Sequence, residues 1–224
     1  MSKKIPVVKH ILSANDQIAE QNLATLNTLG VFAINIMASP GAGKTSTIIK
    51  TFELLENNIK MGVIEGDLAS SIDADKAQAA GIPVVQINTG GGCHLDAVML
   101  KDAFPKLRLE TLDLLIVENV GNLVCPANFK VGTHKNVLIA SIPEGDDKPY
   151  KYPGMYRGVD ALIINKMDLM PYIDFDIEYF LKGVEILNPG LVSFPLSCKT
   201  GEGFNSWIEW LTKQVEESDP ATNL

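Results

Sequence analysis

Lys44 and Thr45 close a run of small residues, "MASPGAGKTST", from Met37 to Thr47. The spacing G-x-x-x-x-G-K-[ST] cradles a polyphosphate. Backbone N–H groups wrap the phosphate oxygens, the lysine reaches the β- and γ-phosphates, and the hydroxyl ligates Mg²⁺. Ala38 stands where the first glycine is expected. Alanine fits there with little strain provided its φ is negative. Gly41 and Gly43 allow conformations and a close approach that a Cβ would obstruct. Gly41, Ala42, Gly43, Lys44, Thr45 and Ser46 are therefore the predicted phosphate contacts. The competing reading is a chance glycine turn ahead of a helix.

"NKMD", Asn165–Asp168, offers a second nucleotide contact. An aspartate carboxylate accepts two hydrogen bonds from the N1–H and amino group of guanine. Adenine has no such donor pair, so the wrong base would leave the carboxylate unpaired. Asn165 would brace the phosphate loop, Lys166 would lie along the base, and Asp168 would bind it. "SCKTG" supplies Ser197, Cys198 and Lys199 for the other side of the base. Cys198 reads as packing or backbone support, not as a metal ligand. The bland alternative is a solvated turn after a strand.

Mg²⁺ prefers oxygen ligands and keeps several waters, so Thr45 and one or two carboxylates suffice. The candidates are Asp67, Asp73, Asp75 and Glu118, with Thr45, Asp67, Asp73 and Glu118 as the predicted set. The three aspartates stay unranked. Some can simply favour the start of the next helix. Lys44, Asp67 and Glu118 are the candidate catalytic residues. "ENVG" places an acid three residues before Gly121, whose N–H would sense a γ-phosphate. Asn122, not glutamine, follows Gly121. With no glutamine to orient water, intrinsic hydrolysis is expected to be slower than about 1 s⁻¹.

"NTGGGCHLDA" puts Cys93 and His94 together, and "ENVGNLVCPANF" puts Cys125 shortly after Glu118. Thiolate and imidazole suit Zn²⁺ and Ni²⁺, and three ligands leave an open position fit for a transferable metal. Adjacent Cys-His does not identify a site by spacing alone. Two unrelated thiols and a surface histidine remain the alternative. His134 and His10 read as ordinary surface or helix residues.

The elements that hold these groups alternate. A helix is expected from Lys9 to Leu29, stopped by Gly30, then a strand over "VFAINIM" and a helix over "TSTIIKTFELLENN". Strands follow at "GVIEGD", "PVVQI", "LDLLIVENVG", "KNVLIASIPEGDD", "ALIINKMD" and "LVSFPLS". Helices fall at "DADKAQAAG", "HLDAVMLKDAF", Phe175–Leu187 and Phe204–Glu216. Apolar strands alternating with helices predict an α/β fold, a mostly parallel twisted sheet with helices on both faces. Ligands of such sheets sit at the carboxyl ends of the strands, where "SPGAGKT", "EGD", "ENVGN", "NKMD" and "SCKTG" collect. The organisation expected is an N-terminal helical extension over 1–30, a GTPase domain over 31–218 and a tail over 219–224.

Bulk properties narrow the partners. The chain has 224 residues, 46% apolar, with a net charge of −8. That charge argues against nucleic acid or an anionic membrane as a partner. No apolar run approaches the roughly 20 residues that span a bilayer. "MSKKIPVVKH" has no signal-peptide pattern, so a cytoplasmic protein is expected. Three cysteines do not suggest a disulfide framework.

Taken together, "SPGAGKT", Gly66–Asp67, "NTGGGCHLDA", "ENVGNLVCPA", "GTHK", "PEGDDKPYKYPG" and "INKMDL" resemble the nickel-insertion GTPases of [NiFe]-hydrogenase maturation, the HypB family. The resemblance covers nearly the whole chain after the first helix. It implies a P-loop GTPase fold of the SIMIBI type and GTP, Mg²⁺ and Ni²⁺ or Zn²⁺ as ligands. It also implies a homodimer when nucleotide is bound, with a Cys93, His94 and Cys125 metal site near its interface. The implied role is delivery of nickel to a hydrogenase large-subunit precursor, with an accessory nickel-maturation protein. Ala38 departs from the family's usual glycine. "MSKKIPVVKHILSAND" has neither the cysteine-rich nor the histidine-rich N-terminal segment of some members, so a high-affinity N-terminal site and nickel storage are not expected. The alternatives are a urease-type nickel GTPase, a metal-binding redox or storage protein with a vestigial nucleotide loop, and a small-molecule kinase. "ENVGNLVCP" disfavours the first of these and "NKMD" the last.

Overall fold

The computed structural model describes residues 7–55, 58–68 and 70–218, with the side chains of residues 7–11 left out. The expected tail over 219–224 and the side chain of His10 lie outside the described residues.

Seven strands form one sheet: β1 (Phe32–Ala38), β2 (Met61–Asp67), β3 (Val84–Asn88), β4 (Leu114–Glu118), β5 (Lys135–Ser141), β6 (Ala161–Asn165) and β7 (Val192–Pro195). Their order is β3-β2-β4-β1-β5-β6-β7, and every pairing is parallel. A parallel strand has both faces covered, and the sequence shows why these do. Ile34 and Ile36 of β1 join one apolar cluster with Ile48, Ile116, Ile139 and Trp207. The alternate residue Ala33 joins a second cluster with Leu26, Leu100 and Leu115 on the opposite face. A third, around Met37, Leu138, Leu162, Tyr156 and Phe180, extends that face across β5 and β6.

Helices α2 (Lys44–Leu55), α3 (Ile72–Ala79) and α8 (Phe204–Ser218) serve the first face through Ile48, Ala77 and Trp207. The Trp207 indole N–H donates to the buried Thr51 hydroxyl at 2.9 Å, so its one polar atom is satisfied in the core. Helices α1 (Val7–Leu29) and α4 (Ala97–Ala103) cover the second face, through Leu26 and Leu100. Short helices α5 (Lys148–Lys151) and α6 (Pro153–Arg157) precede β6, and α7 (Ile177–Leu187) precedes β7.

Several expected spans shorten in the structure. The helix foreseen over "HLDAVMLKDAF" begins only at Ala97, because Asp96 caps it by accepting from the Met99 N–H at 2.8 Å. His94 is thereby left on a loop. The strand foreseen over "KNVLIASIPEGDD" ends at Ser141, where Glu144 accepts from the Ser141 N–H at 2.7 Å and Pro143 cannot donate to a ladder. Helices α5 and α6, not foreseen, each carry a proline in the first turn, where its missing N–H costs nothing.

The chain crosses from β1 over α2 to β2, and β4 and β5 then take the places on either side of β1. The loop after β1 therefore opens between two strands that leave in opposite directions across the sheet, the position where open α/β sheets bind ligands.

Candidate functional site

The phosphate loop starts directly from β1. Ala38 is the last, fully buried residue of that strand. Lys166 is the one non-glycine residue with a positive φ among those described, so Ala38 has the negative φ that alanine tolerates. Gly43 has φ +101°, and a Cβ there would lie 2.4 Å from Nδ2 of Asn165. The same Asn165 amide donates to the Ala42 carbonyl at 2.9 Å. The loop thus folds against the "NKMD" segment, and only glycine fits at the contact. The Lys166 ammonium donates to the Gly41 carbonyl at 2.6 Å. Ser46 is exposed on the first turn of α2 beside this opening.

The base motif is assembled from two strand ends. Asn165 Oδ1 accepts from the backbone N–H of Lys166 at 2.7 Å and of Cys198 at 3.3 Å, tying "NKMD" to "SCKTG". Lys166 takes φ +63°, strained backbone that the side chain of Asn165 holds in place. The Ser197 hydroxyl donates to Asp168 at 2.6 Å. Ser197 also accepts from the Lys199 and Thr200 N–H groups at 3.2 Å. Cys198 packs its sulfur 3.3 Å from the Thr47 hydroxyl, and burial pushes its thiol pKa up. An open cavity of about 430 Å³ is lined by Gly43, Ser46, Lys166, Asp168, Cys198 and Lys199.

Beside the loop, the Thr45 hydroxyl donates to Oε1 of Glu118 at 2.8 Å. Burial pushes Glu118 up to about 7, against the opposing pull of Lys44 and Thr45. Glu65, absent from the predicted set, lies opposite Glu118 in the β2–β4 register. Its Oε2 is buried without a hydrogen-bond partner, and burial followed by repulsion from Glu118 and Asp67 pushes it to about 8. A buried acceptor with no protein donor is suited to a cation or a water. All the donors here are oxygens, the set that Mg²⁺ takes. Asp67 ends β2 and Asp73 lies in the first turn of α3, both close enough to act on Glu118. Asp73 pairs with Lys76 at 2.8 Å, and Asp75 accepts from the Ser71 hydroxyl at 3.0 Å. Gly121 rests on the loop: a Cβ would lie 3.1 Å from Pro40 and 3.3 Å from Nζ of Lys44.

Cys93, His94 and Cys125 converge, with their ligand atoms within 4.8 Å of one another. Cys93 Sγ is 3.5 Å from His94 Nδ1. Ligand bonds of 2.3 and 2.0–2.1 Å at a tetrahedral centre put sulfur and nitrogen about 3.6 Å apart, so this pair needs little movement to hold a metal. A hydrogen bond with Cys93, and then burial, raise the Cys125 pKa, so binding would displace protons. Phe129 stacks on the His94 ring at 3.8 Å between centroids, and burial lowers the histidine's pKa. Asn122 accepts from the N–H of Val124 at 2.7 Å and of Cys125 at 3.2 Å, and its amide reaches Cys125 Sγ at 3.7 Å.

His134 is not the ordinary surface residue expected. Its Nδ1 accepts from the Ala33 N–H at 3.0 Å and its Nε2 lies 2.9 Å from Asn27 Oδ1. That pattern requires a neutral ring protonated on Nε2, and burial lowers its pKa accordingly. Among the described residues no helix is long and apolar enough to cross a membrane.

The model of the CobW/HypB/UreG nucleotide-binding domain matches residues 32–192. The hydrogenase maturation factor HypB of Azotobacter chroococcum mcd 1 is 44% identical over 215 residues, which cover 95% of this chain and 70% of that protein. The probable counterpart of Methanocaldococcus jannaschii is 40% identical over 213 residues, covering 95% and 96% of the two chains. A crystal structure of HypB from Helicobacter pylori in complex with nickel superposes with a TM-score of 0.88 at 36% identity, covering 92% of this chain and 97% of that one. A parallel sheet with its phosphate loop at the central strand, the "NKMD" segment tied to that loop and three metal-type side chains brought together agree with these likenesses: the chain belongs to the HypB family of hydrogenase maturation factors.

Proposed function

We propose that this protein is a slow GTPase that carries nickel to a [NiFe]-hydrogenase precursor and gates its grip on the metal by the nucleotide it holds. The carrying observation is the continuity of one short segment. Glu118 begins it on the Thr45 hydroxyl of the phosphate loop, and Cys125 ends it in the metal-type cluster.

Gly41 to Ser46 would hold the phosphates, with Lys44 on the β- and γ-oxygens. Thr45, Asp67 and Glu118 would hold Mg²⁺, with Asp73 nearby. Mg²⁺ supplies charge neutralisation between the transferring and leaving phosphate oxygens. Asp168 would accept from guanine while Ser197 fixes its carboxylate, and Lys166, Cys198 and Lys199 would flank the base. The absence of a glutamine after Gly121 supports slow intrinsic turnover. Nickel is the cargo, taken by Cys93, His94 and Cys125, with an open position for exchange. A cytoplasmic setting, a nucleotide-dependent homodimer and an accessory maturation protein that helps transfer complete the proposal, in keeping with a relative named as a hydrogenase maturation factor.

The test is a calorimetric Ni²⁺ titration of the nucleotide-free, GDP-bound and non-hydrolysable-GTP-bound protein, with Cys93→Ala alongside. Nickel affinity that changes with nucleotide and disappears in Cys93→Ala is the expected result. Tight guanine-nucleotide binding with no Cys93-dependent metal binding would remove the carrier role.

A further inference from the structure

Asn119 follows Glu118 directly and is fully buried. Its backbone N–H donates to the Ile36 carbonyl of β1 at 2.9 Å. Its side-chain oxygen accepts from the backbone N–H of Leu95 at 3.0 Å and of Val120 at 2.9 Å. Its amide donates to Oδ1 of Asn35 at 3.1 Å, and Asn35 in turn donates to Asn136 at 3.0 Å. Leu95 is the residue after His94. One side chain therefore spans from the residue beside the Thr45–Glu118 hydrogen bond to the loop that carries Cys93 and His94.

A second strut runs in parallel. The Asn122 N–H donates to the Ala38 carbonyl at 2.8 Å, and its side chain gathers the N–H groups of Val124 and Cys125. Asn122 thus fastens the Cys125 segment to the root of the phosphate loop. Asn119 fastens the opposite ligand pair to the acid beside it.

We infer that Asn119 is the positioning residue that couples the nucleotide site to the metal site, moving the Cys93–His94 loop with the end of β4. The physical ground is the satisfaction of the network. Both acceptor positions of the Asn119 oxygen are filled and its amide is anchored on the central strand, so the group has no slack. A shift of Glu118 is carried to Leu95 because letting go would strand a buried N–H. The inference rests on the nucleotide-gated reading above.

The quantity to measure is the ratio of nickel dissociation constants with GDP and with a non-hydrolysable GTP analogue, in wild type, Asn119→Ala and Asn35→Ala. Coupled sites usually differ by about fivefold or more. The wild type is expected to show such a ratio, in either direction. Asn119→Ala is expected to bring it below about twofold while the protein still binds both ligands. A purely structural role would lower both affinities and leave their ratio alone. Asn35→Ala keeps the Leu95 hydrogen bond but removes the anchor, and is expected to give an intermediate ratio. It decides the matter if Asn119→Ala does not fold. A wild-type ratio near one overturns the gating reading itself. A large wild-type ratio that survives in the variants overturns the role of Asn119 alone.

Discussion

Glu65 and Glu118 face each other in register across β2 and β4, each about 3% exposed. Glu118 adds to burial in pushing the Glu65 carboxyl up, and the Lys44 charge offsets this only in part. Glu118 has Thr45 as a donor, whereas the second oxygen of Glu65 has none. Ionising Glu65 in the folded chain is therefore costly, and positive charge brought to it would lower that cost.

Glu65→Gln keeps the shape and removes the charge. Glu65 is raised to about 8, so the folded state holds a proton that the unfolded state releases above about pH 4.5. Its contribution to stability therefore falls as pH rises through that window. With chelator and no nucleotide, Glu65→Gln is expected to raise Tm at about pH 8 by about 2–4 °C, near 1 kcal/mol for a chain of this size. The gain should shrink at about pH 5. A scanning-calorimetry series that shows no gain at the higher pH contradicts the account of the pair.

Asp168→Asn removes a charged acceptor that Ser197 positions. GDP affinity is expected to fall by about a hundredfold, the cost of two hydrogen bonds to a charged group. Xanthosine diphosphate carries a carbonyl where guanine carries its amino group, so it should bind the variant better than GDP does. Competition against a fluorescent nucleotide reads both. Unchanged GDP affinity would show that the base lies elsewhere.

Phe129→Ala leaves every metal-type side chain in place but takes away the ring stacked on His94. Supporting groups of this kind are worth about 10–100-fold in metal affinity. Nickel binding should weaken within that range while GDP affinity stays put, as read by paired titrations. A loss of nucleotide binding instead would mean that the ring supports the fold and not the ligand.

His134→Ala deletes an acceptor for Ala33 and a contact to Asn27. Burial lowers the pKa of this histidine below the ordinary 6.5. Its contribution is thus full above about pH 6.5 and declines as pH falls toward the folded-state value, because the unfolded chain takes up the proton first. The wild-type advantage in urea unfolding is expected to be about 1–2 kcal/mol at about pH 8 and smaller at about pH 5. An advantage that grows on acidification would mean that the ring is charged in the folded state.

The sequence makes the phosphate loop and "NKMD" readable because their chemistry is backbone geometry and local spacing, held within a few residues of one strand end. The sheet was readable for a similar reason, since doubly covered strands are apolar throughout. Cys93, His94 and Cys125 were recognisable by type, but their meeting depends on the loops after β3 and β4 lying side by side, which spacing does not encode. Glu65 left only a faint signal, an acid inside an otherwise apolar strand, and its significance appears only when β2 registers against β4. Phe129, Asn119 and His134 act through partners far away in sequence, and no local pattern distinguishes them from ordinary core residues.

Helix α1 reaches both the segment that carries Cys93 and His94 and the one that carries Cys125. The amide of Asn15 donates to the Lys130 carbonyl at 2.8 Å while its oxygen accepts from the Ala97 N–H at 3.0 Å. Asn22 donates to the Ala97 and Val131 carbonyls at 2.8 and 2.9 Å. Ala97 lies just beyond the Cys93–His94 loop, and Lys130 and Val131 just beyond Cys125. The helix is a splint across the far ends of both segments. With those ends held to one helix, the Cys93–His94 loop and the Cys125 segment share a support that lies outside the sheet.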